Sequence, residues 1–156
     1  MKERKKVLWV IGDSTLSSFN DKYYYPRYGY GTKLAAYLDD AVEVKNIALS
    51  GRSSKSYTTE PQYKELTGGM QKGDFLLIGF GHNDEKTEEA RFTSAQGDYK
   101  TAGSFAASLY DNYIVPAQKA GCQVILCTPI VRRTKTGEWN AQDLHVTQDF
   151  GTYPGG

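Results

Sequence analysis

Three residues each follow an apolar run of the sequence, at the point where the run ends: Ser14, Gly51 and Asn83. A serine hydroxyl becomes a nucleophile when a base is brought to it. The backbone N–H groups of Ser14 and Gly51 and the side-chain NH₂ of Asn83 are hydrogen-bond donors. Donors that converge on one point form an oxyanion hole. This chemistry requires the three residues to meet at one edge of the fold.

Four apolar segments predict four strands, at residues 7–11, 42–48, 75–80 and 123–128. The first is apolar throughout, which is typical of a strand buried on both faces of a parallel sheet. The strands alternate with helical or crossover segments, and this order predicts an α/β fold with a parallel sheet of order 2-1-3-4. The first strand then lies between the second and third. The loops that carry the three residues therefore leave the sheet at one crevice.

Helical spacing of apolar residues predicts a short helix over residues 34–38 and a weaker one over residues 61–66. The strongest helix is predicted over residues 104–120. We expect Pro116 to kink it near its end and Gly121 to provide a left-handed cap.

Two segments have no helical or strand period. Residues 85–101 are polar and predict a long loop, a type that often covers functional sites. Residues 130–156 are rich in turn-forming residues, and we expect no regular structure there.

The 156-residue chain has the length of one domain, and its 19 Lys and Arg residues nearly balance 18 Asp and Glu. This balance predicts neither a nucleic-acid nor a membrane partner. Cys122 and Cys127 stand five apart across a predicted strand, so they should point to opposite faces and not pair. The first apolar run is too short for a signal peptide, and we expect a cytoplasmic protein.

Three sequence blocks resemble the signature blocks of the SGNH, or GDSL-type, hydrolases: Gly12-Asp13-Ser14, Gly51 in its Asn46–Ser53 setting, and Gly81-His82-Asn83-Asp84. The Gly-His-Asn-Asp form is most similar to the rhamnogalacturonan acetylesterase branch. The resemblance covers roughly residues 7–130 and implies a three-layer, flavodoxin-like fold. It also implies a serine esterase that removes acetyl groups from a pectic polysaccharide or its oligosaccharides.

The resemblance implies a role for each block. Ser14 would be the nucleophile, and Gly51 and Asn83 would form the oxyanion hole with the Ser14 backbone. Asp13, His82 and Asp84 would support the site. Asp13 and Asp84 are two carboxylates without further ligands, so we expect no metal, and we expect no organic cofactor.

The family's late Asp-x-x-His block, which supplies the general base, has no match in this sequence. The two histidines are His82, which is expected to hydrogen-bond locally and so position its loop, and His145, which follows Asp143 with one residue too few between them. The family's fifth strand and last helix are also missing. We therefore expect residues 1–156 to be a single domain that forms the N-terminal portion of a longer enzyme, with little turnover by itself.

The missing fifth strand would leave the fourth strand as an uncovered apolar edge, which predicts self-association. Candidate substrate-binding residues are Tyr28, whose ring could stack on a sugar, and Arg132 and His145, which lie beyond the fourth strand on the active-site side. The alternative interpretation of Tyr28 is packing at the mouth of the sheet. The alternatives for the other two are a solvated loop charge and a structural histidine.

Two other function classes remain open. One is a non-catalytic carbohydrate-binding or scaffold domain. The other is a flavodoxin-like nucleotide-binding domain, which would use the loop at Gly12-Asp13-Ser14-Thr15 for phosphate. This loop lacks a glycine-rich cradle, and Asp13 would repel a phosphate, so the sequence favours the first alternative over the second.

Overall fold

The computed structural model describes residues 4–19 and 26–130, together with the backbone of residues 146–147 and 151–152. Its centre is a parallel sheet of four strands in the order β2–β1–β3–β4. The strands are β1 (Lys6–Gly12), β2 (Val42–Asn46), β3 (Phe75–Gly79) and β4 (Gln123–Leu126). The predicted parallel sheet and strand order are confirmed.

β1 takes a central place because its side chains are apolar in both directions. Its residues from Val7 to Ile11 are each 8% exposed or less. The border strands are more exposed to solvent: β2 is half-buried along most of its length, and β4 is largely exposed. Burial on both faces is what an inner strand of a parallel sheet requires.

The helices were predicted with mixed success. They are α1 (Pro61–Gly69), α2 (Phe105–Leu109), α3 (Val115–Ala120), a π-helical turn (Tyr110–Ile114) and two 3₁₀ helices (Tyr30–Tyr37 and Ser56–Thr59). The weak prediction near residue 61 is confirmed as α1. The short helix predicted over residues 34–38 is present as the 3₁₀ helix, which begins earlier, at Tyr30, and ends at Tyr37.

The 3₁₀ helix Tyr30–Tyr37 starts against the loop that follows β1. Tyr30 N donates to Thr15 O at 2.8 Å, and Gly29 N donates to Ser17 O at 2.8 Å. Gly29 offers no side-chain cap. These long-range bonds, rather than local helical spacing, hold the start of the segment.

The segment predicted as one helix over residues 104–120 is confirmed in extent, but its irregularity is a π-helical turn that precedes Pro116. Pro116 has no N–H, so it cannot donate to the carbonyl of Asn112. The hydroxyl of Tyr63, in α1, donates to that carbonyl at 3.0 Å instead. The Ser104 side chain caps the start, and Gly121 ends the helix at φ 79°, as predicted.

Side chains of β1 pack alternately into two clusters. Trp9 and Ile11 face a cluster that includes residues of α1 and α3, and Leu8 and Val10 face a cluster that includes the 3₁₀ helix Tyr30–Tyr37. The sheet is therefore the middle of three layers, as predicted. Cys122 belongs to the first cluster and Cys127 packs against the second, which confirms that the cysteines lie on opposite faces.

One expectation for the last part of the chain is wrong. β5 (Val146–Thr147) pairs antiparallel with β6 (Gly151–Thr152), although no regular structure was predicted beyond residue 130. Strands of two residues are too short to show a period in the sequence.

Candidate active site

The strand register brings the loops after β1, β2 and β3 to the same edge of the sheet. Gly12, the last residue of β1, lies opposite Gly79 of β3. On the other side, Leu49 N donates to Gly12 O at 2.9 Å, so the chain follows β1 beyond the end of β2. Ser14, Gly51 and Asn83 come two to four residues after these positions. They therefore belong to three adjacent loops at one edge.

The turn at Ser14 is held by the buried side chain of Asp13. Its Oδ1 accepts hydrogen bonds from the Thr15 N–H at 2.9 Å and from the Thr15 hydroxyl at 2.7 Å. Asp13 O also accepts from the N–H groups of Leu16 and Ser17, each at 3.1 Å. Oδ1 and the carbonyl oxygen of Asp13 thus hold the turn, and Ser14 within it is half-exposed.

Gly12 allows the close approach that this turn needs. A Cβ on Gly12 would lie 2.4 Å from the carbonyl oxygen of Gly79. Any side chain there would push β1 and β3 apart at the edge where the turn begins, which explains the glycine in this block.

Gly51 has a left-handed backbone, with φ 78°, and a Cβ built on it would meet nothing within 4 Å. The glycine is therefore required by conformation rather than by crowding. Within residues 4–19 and 26–130, no acceptor is bonded to the N–H of Gly51 or to that of Ser14. Both groups fit the role of oxyanion donors.

Asn83 is buried, and both ends of its amide are engaged. Nδ2 donates to Arg52 O at 3.1 Å, and Oδ1 lies 3.4 Å from Nη1 of Arg91. An amide nitrogen carries two hydrogens, so one donor remains after the bond to Arg52. Gly51 O also lies 3.4 Å from Arg91 Nη1, which places Gly51 and Asn83 around one guanidinium.

Asp84 is fully buried behind these loops. Its carboxylate accepts from the N–H and the hydroxyl of Ser54, and from the Thr93 hydroxyl at 2.9 Å. Burial raises the pKa of Asp84 to about 6, although its hydrogen bonds act in the opposite direction. Asp84 thus ties the loop after β2 and the long polar loop to the loop that carries Asn83.

His82 contacts the segment beyond β4. Its Nε2 lies 2.6 Å from Ile130 O, an acceptor, so this nitrogen carries the proton and donates. A nitrogen that donates to a carbonyl cannot accept the proton of Ser14 at the same time. The partner of His82 lies 48 residues away, whereas a local hydrogen bond was expected from the sequence.

Of the three candidate substrate-binding residues, the structure describes Tyr28. Tyr28 is 59% exposed, beside the loop of Ser14, and Lys33 Nζ lies 4.6 Å from the centroid of its ring. Arg132 and His145 lie outside the described residues. His82 is the one histidine in the described part of the chain.

Three residues of this edge were missed in the sequence: Arg91, Ser54 and Thr93. Each lies in a polar stretch that has no helical or strand period. Each contacts Gly51, Asn83 or Asp84 only because folding brings separate loops together. Only the second block gave a signal, because Ser54 closely follows Gly51.

The described residues contain no group of three or more His, Cys, Asp or Glu side chains arranged to bind a metal ion. None of the described helices is long and apolar enough to cross a membrane.

The fold and the three loops define an α/β protein with a candidate nucleophile at the edge of its sheet. The model of the GDSL-like lipase/acylhydrolase family matches residues 8–150, and the chain belongs to this family.

Two curated proteins of Bacillus subtilis (strain 168) are similar to the chain. "Probable rhamnogalacturonan acetylesterase YesY" is 29% identical over 126 residues, which are 80% of this chain and 54% of that protein. Rhamnogalacturonan acetylesterase RhgT is 28% identical over 154 residues, which are 99% of this chain and 60% of that protein. The chain thus spans little more than half the length of these relatives.

The crystal structure of YxiM from Bacillus subtilis resembles this fold, with a TM-score of 0.69 and 20% identity. The similarity covers 96% of this chain and 39% of YxiM. At this identity the likeness supports the fold, and it agrees with the three-layer arrangement described above.

Proposed function

We propose that this chain carries the nucleophile and the oxyanion hole of a serine esterase that removes acetyl groups from a pectic polysaccharide or its oligosaccharides. The observation that carries the proposal is the grouping of Gly51 and Asn83 around Arg91, at the edge where Ser14 stands. Membership of the GDSL-like family supports an ester as the substrate, and the similarity to YesY and RhgT supports the sugar.

The proposed reaction begins with the hydroxyl oxygen of Ser14, which attacks the acetyl carbonyl as a base takes its proton. The negative charge formed on the carbonyl oxygen is stabilised by the N–H groups of Ser14 and Gly51 and by Nδ2 of Asn83. Collapse of this intermediate breaks the ester C–O bond. The sugar hydroxyl leaves with a proton, and acetyl-Ser14 remains.

Water then attacks acetyl-Ser14, releases acetate and restores the serine hydroxyl. Both steps need a general base, and the Asp-x-x-His block that supplies it in the family has no match in this sequence. A serine without its base keeps only the rate that the oxyanion hole and binding provide, about 10³–10⁴-fold over water in enzymes of this type. We therefore expect weak turnover from these 156 residues.

The test compares the wild-type chain with Ser14→Ala. Acetate release from acetylated rhamnogalacturonan oligosaccharides and covalent labelling by a fluorophosphonate are measured for both. We expect slow acetate release and slow labelling in the wild type, and neither in Ser14→Ala. Acetate release from acetylated xylan is measured in parallel, to compare the two sugars. Labelling that persists in Ser14→Ala contradicts the proposed nucleophile.

A non-catalytic carbohydrate-binding domain is distinguished by calorimetry. Such a domain would bind the oligosaccharide equally well with and without the serine hydroxyl, and neither protein would be labelled or release acetate. Faster release of acetate from acetylated xylan would support the esterase activity and contradict the proposed pectic substrate.

A further inference from the structure

Arg91 is a cation in the long polar loop, and one carboxylate holds its guanidinium in place. Arg91 Nε lies 3.2 Å from Glu88 Oε2, and Nη2 lies 2.5 Å from Glu88 Oε1. This two-point pairing lowers the pKa of Glu88 below its ordinary value. Because the guanidinium is planar, fixing two of its nitrogens also fixes the direction of the third.

That third nitrogen, Nη1, lies 3.4 Å from Gly51 O and 3.4 Å from Asn83 Oδ1. These oxygens belong to two different loops, and each belongs to a residue with a candidate oxyanion donor. Arg91 therefore contacts an acceptor oxygen of each residue. The N–H of Gly51 and the NH₂ of Asn83 are not used in these contacts.

The backbone around Arg91 is anchored to the same site. Thr93 N donates to Asp84 O at 3.1 Å, and the Thr93 hydroxyl donates to the Asp84 carboxylate. Asp84 directly follows Asn83 in the chain. The loop that carries Arg91 is thus fixed to the residue beside the one that Arg91 contacts.

We infer that Arg91 is a positioning residue that orients Gly51 and Asn83 as oxyanion donors, an inference that rests on the proposed function. If the Asn83 amide turned over, its NH₂ would face the guanidinium and its oxygen would face Arg52 O. Both contacts would be repulsive, so the amide keeps Nδ2 on the side of Arg52. Arg91 acts through Asn83 and Gly51, and its charge is already paired with Glu88.

The first test observes the Asn83 amide directly and requires no activity. The chain is labelled with ¹⁵N-asparagine, and the Asn83 NH₂ signals are assigned by their loss in Asn83→Ala. In the wild type we expect two separated, rigid proton signals. Arg91→Lys removes the planar guanidinium. In this variant we expect the two Asn83 proton signals to move closer together and the amide to become mobile.

Arg4→Lys is the matched control, because it also removes an arginine from a carboxylate. Arg4 Nη2 lies 2.6 Å from Asp74 Oδ1, at the opposite end of the sheet. The Asn83 signals of Arg4→Lys should match those of the wild type. Unchanged Asn83 signals in Arg91→Lys would overturn the inference.

The second test uses the rate of Ser14-dependent aryl acetate hydrolysis. We expect Arg91→Lys to lower kcat about tenfold with KM unchanged, a part of the roughly 10²–10³-fold that a lost oxyanion donor costs. Because Arg91 acts partly through Asn83, the double variant Arg91→Lys/Asn83→Ala should be slower than Asn83→Ala by clearly less than this factor. Fully multiplicative losses, or a raised KM at constant kcat, would contradict the inference.

The two tests separate the inference from the proposed function. If the wild type shows no Ser14-dependent reaction, the proposed function fails, and the amide signals alone decide whether Arg91 orients Asn83. If Arg91→Lys does not fold, Glu88→Gln replaces it, since this change loosens the guanidinium and leaves the arginine in place. Mobile Asn83 signals in Glu88→Gln support the inference, and rigid ones overturn it.

Discussion

The carboxylate of Asp84 accepts hydrogen bonds from both the backbone N–H and the hydroxyl of Ser54. This pair joins the loop after β2 to the loop after β3, directly behind Gly51 and Asn83. The Ser54 carbonyl in turn accepts from the hydroxyl of Tyr113, in the π-helical turn. The candidate oxyanion loops are therefore braced from the helical layer through one buried carboxylate.

Asp84→Asn should change how stability depends on pH. Burial raises the pKa of Asp84 to about 6, above its value in the unfolded chain. Its contribution to the free energy of unfolding is therefore fully present below about pH 4 and is lost as the pH rises through about 6.

The measurement is urea unfolding of the wild type and Asp84→Asn at several pH values. Asparagine does not titrate, so the stability of the wild type relative to the variant should fall between about pH 4 and 6 and stay constant above 7. A difference that rises with pH in this window would show that the hydrogen bonds outweigh burial.

Gly51→Ala should destabilise the chain although it creates no clash. Alanine in the left-handed region costs about 1–2 kcal/mol, and nothing lies within 4 Å of the new Cβ. Gly68→Ala is the matched control, since its Cβ also meets nothing and its backbone lies in α1. There alanine should be neutral or stabilise by about 0.5–1 kcal/mol. Equal effects at both positions, measured by urea unfolding, would rule out strain at Gly51.

Tyr63→Phe should cost about 1–2 kcal/mol, because it leaves the Asn112 carbonyl without the hydroxyl that replaces the missing Pro116 N–H. Tyr99→Phe, at a side chain that is 46% exposed, should change stability by less than about 0.5 kcal/mol. Thermal unfolding of the two variants provides the comparison. If both lose the same amount, the carbonyl does not depend on Tyr63.

The sequence predicted the sheet well because its apolar strands alternate with helical segments, the pattern of a doubly wound parallel sheet. β1 is apolar on both faces, which is typical of an inner strand of such a sheet. The 3₁₀ helix Tyr30–Tyr37 and the π-helical turn were not predicted. Their conformations depend on distant partners, Thr15 in one case and Tyr63 in the other.

The candidate site divides in the same way. Gly51 and Asn83 could be selected because each follows a strand, and their loops do meet at one edge. Arg91 could not be selected, since its two partners lie 40 and 8 residues away and its own loop has no period. Arg132 and His145, the other candidate substrate-binding residues, lie outside the described residues.

Leu126→Lys should weaken self-association through the edge of β4 that faces away from β3. Among the described strands, β4 pairs with β3 alone, and Ile125 and Leu126 are 42% and 55% exposed. An apolar edge with unpaired backbone groups favours pairing with a second copy, and a lysine on such an edge opposes it. Tyr37→Lys is the control, since Tyr37 is 84% exposed and lies outside the sheet. Sedimentation velocity over a range of concentrations should show association in the wild type and Tyr37→Lys, and less in Leu126→Lys. A wild type that stays monomeric throughout would contradict the prediction.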